Sequence, residues 1–149
     1  MRIVAVIPAR MASSRFPGKP MALIHNMPMI GHCYCRVHLC DALSDTYVAT
    51  CDEEIFDYIE SIGGKAVMTA DSHERASDRS AEAMLKIEEA SGQKIDILVM
   101  VQGDEPMDTP SMITQAIEPM LREDSVQIVN LMGRIESLAE FEDPNTVKV

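Results

Sequence analysis

Three cations stand in the segment PARMASSRFPGK: Arg10, Arg15 and Lys19. Ala, Ser, Pro and Gly surround them, so backbone N–H groups can come close to an anion. Guanidinium groups can add bidentate contacts, and an ammonium a point charge. Such a segment could cradle a polyphosphate, although a solvated basic loop would have the same composition. It matches neither GxxxxGK(S/T) nor GxGxxG, so the common nucleotide fingerprints do not apply. Its charge is nevertheless out of keeping with the chain. Residues 1–40 hold five Lys/Arg and no acid, whereas the remaining 109 hold eight Lys/Arg and all 24 Asp and Glu, for a formal net charge of −11.

A second candidate is VQGDEP, which places Asp104 and Glu105 directly after an apolar run. A carboxylate there suits Mg²⁺, which takes one or two carboxylates and completes its shell with phosphate oxygens and water. The same residues could serve as a turn acid or helix cap. Three of the four cysteines lie in HCYCRVHLC, whose spacing matches no common zinc site. On a helix Cys33 and Cys35 point about 200° apart, so reduced cysteines packed between helix and sheet are expected.

The elements that must position these residues alternate between strand and helix. RIVAVIP reads as a buried strand, followed by a long loop to Pro20. Pro28 suits the first turn of a helix through MIGHCYCRVHLCDA, and DTYVAT is a second strand. Asp52 precedes the helix EEIFDYIESIGG, KAVMT is a third strand, and Ser77 or Asp78 is placed to cap a helix running to Ser91. IDILVMV is a fourth strand, Thr109-Pro110 starts a helix that Pro119 should break or kink, VQIVNLM is a fifth strand candidate, and SLAEF a short helix. Five strands with helices between them predict an α/β fold, a doubly wound and mainly parallel sheet with helices on both faces. Ligands bind beyond the carboxyl ends of the strands in such folds. PARMASSRFPGK, ATCDEE, TADSHERASDR and QGDEP all fall there.

Composition narrows the class. At 149 residues, with 46% hydrophobic residues and 25% charged, the chain has an ordinary single-domain length and the make-up of a globular protein. A pI near 4.7 argues against nonspecific nucleic-acid or anionic-membrane partners. No apolar run approaches the ~18 residues of a membrane span. The arginines after IVAVIP are wrong for signal-peptide cleavage, so a cytoplasmic location is expected.

IPARMASSRFPGKPMALI, VATCDEEI, GGKAVMT, Asp78-Arg79, VQGDEP and DPNTVKV occur in this order. In this the chain resembles the 3-deoxy-manno-octulosonate cytidylyltransferase (CMP-Kdo synthetase) family over essentially its whole length. The resemblance implies a Rossmann-like nucleotidyltransferase fold and transfer of CMP from CTP to the acidic sugar Kdo, releasing pyrophosphate, for lipopolysaccharide biosynthesis. Lys19, Arg10 and Asp104 would be the catalytic residues. Arg10, Ala12, Ser13, Arg15 and Lys19 would hold the triphosphate, Arg79 and Gln102 would lie near the nucleoside, and Asp104 would hold Mg²⁺ as cofactor. The basic segment would then be the counter-charge for CTP.

Family members continue beyond VKV into a region with a second metal-binding Asp, most sugar contacts and much of a homodimer interface. Residues 1–149 are therefore expected to be the nucleotide-binding part of such a domain, with the carboxyl-terminal part of the family fold missing. Within the chain, Arg75 and Ala76 replace a small Ser-Gly pair, Cys51 a frequent Asp and Met100 a frequent Asn. Two alternatives accompany this reading: a catalytically silent nucleotide-binding or interaction module, and a related nucleotidyltransferase using another acidic sugar.

Overall fold

The computed structural model describes residues 1–12 and 16–148. These fall into two compact units, Met1–Thr114 and Gln115–Val149.

The first unit is built on strand β1 (Ile3–Ala9), buried at all seven positions. A run of Ile, Val and Ala with no polar face can be accommodated only where both sides of a sheet are covered. Strands β4 (Asp45–Thr50), β5 (Ala66–Met68) and β6 (Ile97–Met100) join it in the order β5-β4-β1-β6. All pairings are parallel, with Val4 opposite Asp45 on one side and Leu98 on the other. Helix α3 (Ala76–Ser91) covers one face, where its Ala83 and Ile87 form a core with Val4, Val6 and Ala49. Alternation along β1 turns Ala5 and Ile7 to the opposite face, where they are also fully buried. Helices α1 (Met29–His38) and α2 (Glu53–Ser61) supply Ile30, Cys33, Val37, Ile55 and Ile59 to the core.

The chain proceeds from β1 outward through β4 to β5, then returns to add β6 on the other side of β1. The switch point of this parallel sheet is therefore the crevice beyond β1 and β6, where ligands bind in open α/β sheets. Pro8 helps to open it. Val6 O accepts from Val101 N at 3.0 Å, so Pro8, two residues on, faces the same neighbour. The paired part of β6 has already ended at Met100, and the N–H that proline lacks removes no bond to it.

Several expectations are corrected. A hairpin interrupts the segment after the basic loop: β2 (Leu23–Ile24) and β3 (Met27–Pro28) pair through His25 and Asn26, both at positive φ. Asn tolerates that region and suits a two-residue turn. Neither Ser77 nor Asp78 caps α3. Both lie inside it, and Arg75 holds the N-cap position without a side-chain cap. Helix α4 (Pro110–Arg122) continues through Pro119, which falls in its last turn, where little helix remains to be broken. VQIVNLM forms no strand. It is mostly exposed, with Ile128 and Met132 each about four-fifths accessible, and β-branched residues favour a strand through packing on a half-buried surface that this segment does not have. The sheet thus has four strands. SLAEF does give a helix, α5 (Leu138–Glu142), whose Ser137 accepts from Glu140 N at 3.1 Å. Among the described residues no helix is long and apolar enough to cross a membrane.

Candidate functional site

Beyond the β1 and β6 ends lies a cleft of about 720 Å³. Its first wall is the loop after β1, which contributes Arg10, Ala12, Phe16 and Lys19. The loop is closed by Gly18 N donating to Met11 O at 3.0 Å, and Gly18 has φ 72°, a left-handed conformation that glycine adopts without penalty. Lys19 then opens a short 3-10 turn, Lys19–Met21. The loop is also held from β4. Asp52, expected to cap α2, makes no side-chain cap. Its Oδ2 instead accepts from Met11 N at 2.8 Å.

The second wall follows β6. Gln102, Gly103 and Asp104 line the cleft, with Gln102 and Asp104 exposed. Gly103 is buried so close to β1 that a Cβ there would lie 2.7 Å from Pro8 O. No side chain fits, and the close approach of the two backbones aims Gln102 and Asp104 outward. Asp104 Oδ2 lies 2.7 Å from Lys19 Nζ, joining the two walls. Beneath them, Cys33 Sγ donates to Gly103 O at 3.5 Å, and burial pushes its thiol up to about 12.

The third wall is the segment entering α3: His73, Glu74, Arg75, Ala76 and Arg79. Arg79 is only 3% exposed. Its Nη1 donates to Thr69 Oγ1, while its buried Nη2 has no partner among the described residues. An orphaned buried donor is costly, and a ligand with an acceptor oxygen would relieve it. His73 O receives Arg10 Nη1 at 3.5 Å. Glu82, on α3, accepts from Lys86 Nζ, Ala70 N and His73 Nε2, which together hold its carboxyl down at about 2.

Of the residues expected from the sequence, Arg10, Ala12, Lys19, Arg79, Gln102 and Asp104 converge on this one cleft. Ser13 and Arg15 lie outside the described residues. The cleft carries four cationic side chains, Arg10, Lys19, Arg75 and Arg79, against two carboxylates, Glu74 and Asp104. On a protein of net charge −11 this marks a locally cationic receptacle for an anion. Among the described residues no group of three or more His, Cys, Asp or Glu could hold a metal ion. A protein-only cage is not what Mg²⁺ requires, however. Asp104, exposed beside cations that would bring phosphate, fits such an ion. Sequence reasoning missed Asp52, His73 and Glu82, whose roles depend on partners distant in the chain.

A cytidylyltransferase family model matches residues 4–149. Among curated relatives, the 3-deoxy-manno-octulosonate cytidylyltransferase of Trichlorobacter lovleyi is 46% identical over all 149 residues, which cover 57% of its length. That of Geobacter metallireducens is 44% identical, with 56% of its length covered. Among solved structures, a CMP:2-keto-3-deoxy-manno-octonic acid synthetase complexed with CTP aligns with TM-score 0.78 and 37% identity, over 85% of this chain and 50% of that one. A cytidylyltransferase from Leptospira borgpetersenii shares the fold at TM-score 0.65 and 24% identity, over 84% of this chain and 51% of that one. The chain thus spans little more than half the length of the relatives it matches.

Proposed function

The chain belongs to the cytidylyltransferase family, and we propose on that premise that it binds CTP in this cleft as the nucleotide-binding part of a CMP-Kdo synthetase. The reaction is transfer of CMP from CTP to Kdo in the cytoplasm, for lipopolysaccharide. The observation that carries the reading is the meeting of Arg10 and Lys19, from the end of β1, with Asp104, from the end of β6, across the switch-point cleft.

The anomeric hydroxyl of the sugar attacks the α-phosphorus of CTP. A new oxygen–phosphorus bond forms as the α–β phosphoanhydride breaks, the electron pair leaves with pyrophosphate, and the proton of the attacking hydroxyl passes to water. Little of this is covalent work for the protein, and catalysis is positioning plus charge neutralisation. Arg10 and Lys19 hold the phosphates and offset the charge that develops on pyrophosphate, with Ala12, Ser13 and Arg15 of the same loop. Arg79 Nη2 and Gln102 face the nucleoside, whose carbonyl oxygen is the acceptor that the buried guanidinium lacks. Mg²⁺, held by Asp104, supplies neutralisation of the phosphate oxygens and polarisation of the α-phosphoryl group when bound.

Calorimetric titration with CTP tests the binding site. Lys19→Ala and Arg10→Ala should each weaken binding about tenfold or more, the effect of losing a charge-assisted hydrogen bond, with the fold retained because Arg10 is exposed and Lys19, half-buried at the start of a 3-10 turn, is not among the core residues. Unchanged affinity in both variants would remove the loop from the site. Pyrophosphate release with CTP and Kdo tests the transfer. CTP binding without release would favour the silent nucleotide-binding module, and release with a different acidic sugar would reassign the acceptor. A homodimer, as the family resemblance implies, would show in the mass measured by light scattering.

A further inference from the structure

The third wall of the cleft has little backbone bonding of its own. Thr69 N donates to Thr50 O at the end of the sheet, and regular bonding resumes only at Arg79 N with Arg75 O. Among the described residues, the backbone from Ala70 through Glu74 makes a local turn at Asp71-Ser72 but no backbone–backbone hydrogen bond to another element of the fold. This stretch still supplies His73 and Glu74 to the cleft and offers His73 O to Arg10. Something other than the backbone must set its position.

Two side chains of α3 do so. Glu82 Oε2 accepts from Ala70 N at 2.9 Å and from His73 Nε2. Glu82 Oε1 lies 2.8 Å from Lys86 Nζ, which also donates to Met68 O at 2.7 Å. Glu82 does not line the cleft. Nor is it needed for the core, since α3 is anchored by Ala83 and Ile87, one and five residues further on. One carboxylate therefore gathers a backbone amide, an imidazole and an ammonium to fix a wall that it does not itself form.

We propose that Glu82 is a positioning residue of the nucleotide site: by holding the Ala70 amide and the His73 ring, it sets where the wall from His73 to Arg79 meets the Arg10 loop. The inference rests on the CTP-binding reading of the cleft. It assigns Glu82 no contact with the nucleotide and predicts that its loss is felt through His73.

The test is CTP titration of the full chain for wild type, Glu82→Gln, Glu82→Ala, His73→Ala and the Glu82→Ala/His73→Ala double variant, beside NMR of the His73 ring. Glu82→Ala should weaken CTP binding about tenfold and Glu82→Gln about threefold, because Gln still accepts from the Ala70 amide. The double variant should bind no more weakly than the weaker single one, as expected of two residues acting as a unit. In wild type the His73 ring should carry its proton on Nε2, facing the carboxylate, and that signal should be lost or broadened in Glu82→Gln. If Glu82→Ala does not fold, Glu82→Gln and His73→Ala decide. CTP affinity within twofold of wild type in the folded Glu82 variants, strictly additive losses, or an unchanged His73 ring would each overturn the proposal. A wild type that binds no CTP would refute the nucleotide reading itself and the proposal with it, a result distinct from wild-type binding that Glu82 does not influence.

Discussion

Lys19 Nζ lies 2.7 Å from Asp104 Oδ2, so the end of β1 is tied to the end of β6 across the switch point of the sheet. The two side chains are 36% and 48% exposed, and pairs in such settings contribute ~0–1 kcal/mol. The bridge is therefore easily exchanged. In the proposed function a phosphate would draw off the ammonium and a divalent cation would take the carboxylate, so a metal-bound nucleotide would replace one ion pair by two.

The closeness of the two strand ends makes Gly103 the most constrained residue of the site. A methyl group there would lie 2.7 Å from Pro8 O and 3.5 Å from both Ala9 Cβ and Ile30 Cδ1. Backbone oxygen cannot swing aside as a side chain can. Gly103→Ala should cost about 1–3 kcal/mol of stability, the usual range for overpacking, and should weaken CTP binding by displacing Gln102 and Asp104. Gly133→Ala, where nothing lies within 4 Å, should stay within about 0.5 kcal/mol of wild type. Urea denaturation of both variants checks the contrast, and equal stabilities would show that β6 can retreat freely.

What could be read in advance follows from where each signal lies. β1 and β4 are local signals, β-branched runs bounded by turn residues, and DTYVAT is β4 to the residue. The convergence of Arg10, Lys19, Gln102 and Asp104 was legible because parallel sheets gather strand ends. The role of Asp52 was not: its residue type fits a helix cap, and only the return of the β1 loop gives its carboxylate Met11 N instead. Glu82 was hidden in the same way, on a helix face whose partners lie 9 and 12 residues earlier. VQIVNLM misled because a β-branched run carries the local preference for a strand but not the cross-strand packing that decides whether one forms.

Glu82 also predicts an acid dependence of stability. Its carboxyl is lowered from 4.5 to about 2 by Lys86, the Ala70 amide and His73, with the Lys86 hydrogen bond the largest cause. A group whose value is depressed on folding stabilises the native state above its unfolded value. This contribution should be complete above pH 4.5 and disappear as the pH falls toward 2. Thermal melts across that window should show a steeper loss for wild type than for Glu82→Gln, and parallel profiles would refute the assignment.

The cysteines should separate by burial. Cys33 and Cys40 are buried, Cys51 is intermediate and Cys35 exposed. With its thiol raised from 9.0 to about 12 by burial, Cys33 should carry roughly a thousandfold less thiolate at neutral pH than an ordinary cysteine. Brief alkylation of the native protein, read by peptide mass spectrometry, should label Cys35 first and leave Cys33 and Cys40 until the chain is unfolded. Early labelling of Cys33 would mean that α1 opens readily from the sheet.

Asp104→Asn separates the two roles given to this carboxylate. The amide keeps the shape and one acceptor oxygen but loses the charge that attracts a hard divalent cation. Without Mg²⁺, the variant should bind CTP at least as well as wild type, because Lys19 is released from its 2.7 Å ion pair and an anion is removed from beside the phosphates. With Mg²⁺, wild type should gain affinity and the variant should not. Paired titrations with and without the metal give four affinities, and the difference between the two gains isolates the metal contribution from that of Lys19. An undiminished Mg²⁺ gain in the variant would take the metal away from Asp104. Weaker metal-free binding would instead mean that the carboxylate holds Lys19 in place for the phosphates rather than restraining it from them.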